Sequence, residues 1–139
     1  MKRFAFSMQK ILDLRENLQK QAEIELGKAN AEVARIERAI DTVEQKKASV
    51  TKAFDAETNV ATLSQIESHF FMLQQKKEEL AEELEAAKDV AEQKRDVMRQ
   101  AMQRTKALGK LKESKAADWK KDAQKDEELA ADDVVRARR

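Results

Sequence analysis

The sequence predicts an all-α fold: two long helices forming an antiparallel coiled-coil hairpin, with a C-terminal helical overhang. Three observations lead there. Ala22, Leu26, Ala29, Val33, Ile36, Ile40, Val43, Lys47, Val50 and Phe54 follow one another in steps that alternate four and three, with almost only polar residues between them. That is the seam of a coiled coil. A second run starts at Leu63 and continues through Ile66, Phe70, Leu73, Lys77, Leu80, Leu84, Ala87, Ala91, Lys94, Met98, Ala101, Thr105 and Leu108. Between the two runs, over residues 56–62, the period and the density of helix formers lapse together. One helix cannot bury such a stripe alone, and the nearest partner is the second run of the same chain.

Composition agrees with this reading. The 139 residues are 40% charged and 4% aromatic, with no proline and two glycines, the balance of long helices rather than of a core filled from several sides. The formal net charge of +1 leaves no global field to steer the chain toward nucleic acid or a membrane surface. Without cysteine there is neither disulfide nor thiol chemistry. No apolar run approaches the roughly 18 residues of a membrane helix, and Met1-Lys2-Arg3 is not followed by the apolar stretch of a signal peptide. A soluble cytoplasmic protein is expected.

Taken in order, the elements are a first helix over about 4–55, a bend at about 56–62, a second helix over about 63–115 and an overhang at 116–139, all one domain. Phe4, Met8, Ile11, Arg15 and Leu18 extend the first seam backward, at the cost of two successive four-residue steps from Leu18 through Ala22 to Leu26, a stutter. Ser7 is placed to cap a helix start, and the first helix is expected to begin anywhere from Arg3 to Met8. Thr58, Asn59 or Thr62 can cap the second helix, and Thr62 with Gln65 has capping-box spacing. The strongest seam positions are Leu26, Val33, Ile36, Ile40, Val43, Val50, Leu80 and Leu84. Val90, Val97 and Met102 offer the second helix a competing frame. The overhang carries Trp119, the acidic runs Asp126-Glu127-Glu128 and Asp132-Asp133, and a basic end from Arg136 to Arg139. With no seam partner in the chain, it is expected to need an external one for order.

No catalytic constellation, cofactor site or metal site is legible. His69 is the single histidine, and there is no glycine-rich loop, so no enzymatic activity is expected. Lys94, Arg95, Arg99, Arg104, Lys106, Lys110, Lys112, Lys115, Lys120 and Lys121 form a basic stretch. Trp119 is the only aromatic among them, too few for a nucleic-acid groove, and no nucleic-acid partner is expected. Phe70 and Phe71 are adjacent and diverge by about 100° on a helix, so the seam takes Phe70 and leaves Phe71 and Met72 either exposed near the bend or packed over it. Trp119 either closes the open end of the hairpin or anchors the overhang to a partner.

The opening Phe4-Ala5-Phe6-Ser7-Met8-Gln9-Lys10-Ile11-Leu12-Asp13-Leu14-Arg15 resembles the F-x-F-x-L-x-x-V-L-x-L-R start of the flagellar export protein FliJ family. Ile66 to Leu73 resembles that family's aromatic and leucine cluster, with His69 where an aromatic is more usual. Leu108 to Glu113, Trp119, Glu127-Glu128 and Asp132-Asp133 resemble its closing helix. The resemblance implies an antiparallel coiled coil similar to the central stalk of rotary ATPases. It also implies three partners: the ring of the flagellar export ATPase FliI, the export gate protein FlhA, and export chaperones. On that resemblance His69, Phe70, Phe71 and Leu73 contact the gate, while Phe4, Phe6, Ile11, Leu14, Trp119, Glu127 and Glu128 contact the ATPase ring. The protein would sit in the cytoplasm, peripheral to the inner membrane only through its partners.

Two other readings use the same helices. A holdase chaperone of the prefoldin kind is also a helical hairpin with apolar tips, but it joins its arms through strand-forming segments, and none lies between Phe54 and Leu63. A passive self-associating scaffold needs only the seam.

Overall fold

The structure is a computed structural model that describes residues 3–138; Met1, Lys2 and the terminal Arg139 lie outside the described residues. Two helices account for nearly all of it. Helix α1 spans Gln9–Ala56 and helix α2 spans Val60–Arg138, 48 and 79 residues long, with no strand among the described residues. They pack against each other as an antiparallel hairpin.

The break between them is three residues long, and two carboxylate or amide side chains fix it. Glu57 Oε1 accepts the backbone N–H groups of Thr58 (3.1 Å) and Asn59 (3.0 Å), and Asn59 Oδ1 accepts that of Ala61 (2.9 Å). Asn59 is therefore the N-cap of α2, and its own carbonyl takes the first helical bond, from Leu63 N–H at 2.9 Å. Caps of this type contribute about 1 kcal/mol. Thr62, the capping box's expected first residue, lies inside the helix instead, because Asn59 offers a cap one turn earlier. No described residue needs a positive φ to make the bend. At the other end, a turn closed by Gln9 N–H to Phe6 O at 3.0 Å leads into α1.

The molecule divides into two packed units. The first, Glu23–Val97, contains the bend and a core of Ile36, Val43, Leu73 and Leu80, with Ala39, Ile40, Val50, Leu84 and Ala87 packed against it. Two polar pairs cross this seam. Lys47 Nζ donates to Gln74 Oε1 at 2.5 Å and lies 5.2 Å from the centre of the Phe70 ring. Lys77 pairs with Glu44 at 2.5 Å. Both lysines occupy seam positions where an apolar residue would be interchangeable with its neighbours. A polar residue there tolerates only the register that brings its partner opposite.

Glu44 also makes the hairpin sensitive to acid. The hydrogen bond from Lys77 holds its carboxyl below the ordinary value, with the charges of Lys77 and Lys47 adding to the effect against a smaller cost of burial. A carboxyl lowered by folding stabilises the fold above its unfolded pKa, about 4.3, and that stability disappears as pH falls through the folded value. Thermal midpoints are therefore expected to drop below about pH 4.3, with a shallower drop in Glu44→Gln; equal slopes would contradict the assignment. The Glu32 carboxyl is lowered too, by the Arg35 guanidinium that donates to both its oxygens at 2.6 and 3.0 Å. That pair lies within α1 and says nothing about register.

The second unit joins the residues up to Ala22 with those from Met98 onward. Here the structure departs from the sequence reading of the seam. Leu12 is 4% exposed, whereas Ile11 and Leu18 are 44% and 40% exposed. The half-buried residues around them include Met8, Arg15 and Gln19. The α1 seam thus runs Met8, Leu12, Arg15, Gln19, Ala22, alternating four and three without a stutter. The apolar character of Leu18 suggested otherwise, but the helix keeps its seven-residue phase and accepts polar Gln19 in the seam. On α2 the competing frame loses: Val90, Val97 and Met102 are exposed, while Ala101, Thr105 and Leu108 are half-buried. Beyond Leu108 the half-buried positions Lys112 and Ala116 follow in two steps of four, so a stutter exists, on α2 rather than α1.

Gly27 and Gly109 lie inside the helices, and a Cβ at either would meet no atom within 4 Å. Alanine at each is expected to raise stability by about 0.8–1 kcal/mol through helix propensity alone, read as a higher melting midpoint by circular dichroism.

Candidate functional site

Two groups of side chains reach the surface in ways that packing does not require, one in each unit. The first lies beside the bend, at the start of α2. Four consecutive residues, Phe70 to Leu73, turn by about 100° each and so cannot share one environment. Leu73 is a core residue. Phe70 is partly covered, under Lys47. Phe71 and Met72 are 65% and 67% exposed.

Phe70 also lines an apolar groove of about 270 Å³ with Val50, Thr51, Phe54, Ile66 and Glu67. The seam fails to close here. Phe54, its last α1 residue, stays exposed. His69 is exposed and lines a shallow depression with Thr42, Gln45, Lys46, Ser49 and Val50. Of the four residues tied to a gate contact, His69, Phe70 and Phe71 are accessible. Leu73 is not, because its side chain completes the layer with Ile36, Val43 and Leu80. Met72, which the sequence offered with Phe71 as exposed near the bend, is so, whereas the Phe54 groove was not singled out by the sequence reading. Nothing in the period signals an open seam.

The second group lies where the start of the chain meets α2. The Phe4 and Trp119 rings approach to 6.1 Å between centroids, tilted by 57°, within the range of favourable edge-to-face packing. This contact closes the end of the seam, one of the two readings open for Trp119, while leaving its indole partly exposed. Phe6 is half-buried in the turn before α1. Ile11 and Leu14 face solvent, as do Glu127 and Glu128 on the part of α2 beyond Trp119. The seam positions Leu26, Val33, Ile40, Val50 and Leu84 are half-buried, and Ile36, Val43 and Leu80 are buried; they hold the helices together, and Val50 also lines the groove beside Phe54.

Among the described residues no group of three or more His, Asp or Glu is placed to hold a metal ion. None of the described helices is long and apolar enough to cross a membrane.

Comparison with known families gives one match: the model for the flagellar FliJ protein covers residues 4–138. Searches of curated proteins and of solved structures return no significant match. The family match extends over nearly the whole chain, through both helices and both groups of exposed side chains. The chain therefore belongs to the flagellar FliJ family and is a component of the flagellar protein export apparatus.

Proposed function

We propose that this protein couples the export ATPase ring to the export gate, binding FliI with the unit that holds both chain ends and FlhA with the residues beside the bend. The observation that supports this most is that large apolar side chains stay exposed in both units, Phe71 and Met72 beside the bend in one and Ile11 and Leu14 at the start of α1 in the other. A protein that only held itself together would have no use for either. ATP turnover changes the ring's contacts, and the paired helices carry that change to the gate. The protein acts in the cytoplasm, peripheral to the inner membrane through its partners, and export chaperones are further clients.

The gate contact consists of His69, Phe70 and Phe71, with Met72 joining them and Leu73 acting from the core as a support. The ring contact consists of Phe4, Phe6, Ile11, Leu14, Trp119, Glu127 and Glu128. Titrating the purified chain with the export ATPase, while following Trp119 emission and ATP hydrolysis together, tests the second of these. Saturable binding with a change in both signals is expected. Unchanged emission and turnover, where the ATPase hexamer is shown to form, would refute the ring assignment.

A holdase reading draws support from Val60, Phe71 and Met72, all exposed near the bend. It differs in requiring suppression of client aggregation by the chain alone, which the coupling reading does not.

A further inference from the structure

Beyond Trp119, α2 continues for nineteen residues without α1 beside it, and only Ala123 among residues 120–138 is even half-buried. Leu129, Val134 and Val135 are exposed along it. From Asp122 to Asp133 it carries six acids and one lysine. A single helix of this kind is marginal in water, and its stability comes from whatever covers it.

The same unit presents a face of opposite character. Ile11, Leu14 and Leu18 form an exposed stripe on α1. The Phe4–Trp119 contact and the depression that Gln19 shares with Met102, Gln103 and Lys106 set the register here. It puts Ile11 across from the turn that holds Lys110 and Leu111, and Leu18 across from the turn that holds Arg104. Leu111 is exposed too. Between Met98 and Lys121, lysine and arginine outnumber acids eight to two. The apolar residues of the face lie beside a basic stretch of α2, and those of the overhang lie within an acidic one. Because α2 is one unbroken helix to Arg138, the overhang cannot fold back onto its own chain's face.

We propose that two copies of this chain pair through these elements, the overhang of each covering the Ile11–Leu14–Leu18 face of the other. One two-fold axis makes both contacts at once. An antiparallel pairing of α2 with its copy that sets Leu129 beside Leu111 of the second copy also sets Glu128 opposite Lys112, and Asp132 and Asp133 opposite Leu108 and Ala107, within two residues of Lys110 and Lys106, of that copy. No other partner is needed for either surface. These surfaces include residues assigned above to the ATPase ring, so pairing and ring engagement exclude each other; that consequence rests on the ring assignment, whereas the pairing does not.

Sedimentation velocity of the full chain alone, from about 1 to 200 µM, tests the pairing without any partner. A dimer that weakens with salt is expected. Leu129→Asp, the tail reversal Glu127→Lys with Glu128→Lys, and the face reversal Lys106→Glu with Lys110→Glu should each weaken it by about tenfold or more. Combining both reversals in one chain should recover most of the loss. All these positions are exposed, so helicity by circular dichroism should not change. A monomer throughout, a dimer indifferent to these variants, or a combined variant no better than the single reversals would overturn the proposal.

Discussion

Replacing both Ile36 and Ile40 by Asp is expected to abolish the helical circular dichroism signal at room temperature. Ile36 is 2% exposed, the least of the buried apolar residues, and Ile40 packs against the same cluster. Emptying one such site costs about 2–5 kcal/mol. Adding a carboxylate with no partner costs more, unless the group takes up a proton. A protein of this size has a total stability of about 5–15 kcal/mol, and the first unit has no second core to fall back on. Single helices of this composition do not persist without the partner that the seam supplies. An unchanged spectrum and midpoint would place the core somewhere other than Ile36, Val43, Leu73 and Leu80.

The opposite profile is expected for Phe71→Asp. The side chain is already 65% exposed, so the melting midpoint should stay within about 0.5 kcal/mol of the parent's stability. Binding to the cytoplasmic part of the export gate should fall by about thirtyfold or more, as for a central aromatic anchor. Leu73→Ala separates the two roles from the other side: it should lower the midpoint through the core and affect the gate only as far as α2 loosens. If Phe71→Asp left gate binding intact while Leu73→Ala abolished it at temperatures where the chain is folded, the contact would be misassigned.

The sequence was most readable where one requirement acts alone. Ile36, Val43, Leu73 and Leu80 stand out because a narrow seam needs an apolar residue at fixed spacing, and polar neighbours make that spacing visible. It was least readable near the chain ends. There Arg15, Gln19 and Thr105 occupy seam positions while Ile11, Leu14 and Leu18 face outward, so residue polarity argues against helix phase. Extending the seven-residue spacing backward from Leu26 through Gln19 would have found Leu12. The inversion has a physical meaning, because apolar side chains that a helix keeps outside its own seam are available to another surface. Asn59 against Thr62 was a choice between equivalent caps, decided by Glu57 holding the preceding amides. The groove under Phe54 had no sequence signal at all: a gap in packing depends on how two helices diverge at a bend, not on which residues line it.

The coupling account requires one chain to engage both partners at once. The direct measurement immobilises the cytoplasmic part of the export gate, adds the chain, then adds the export ATPase, and records the mass retained at each step. The account predicts that ATPase is retained only when the chain is present, and that Phe71→Asp removes the chain and the ATPase together. Retention of ATPase to the same extent without the chain, or a chain that binds each partner alone but never both, would contradict it.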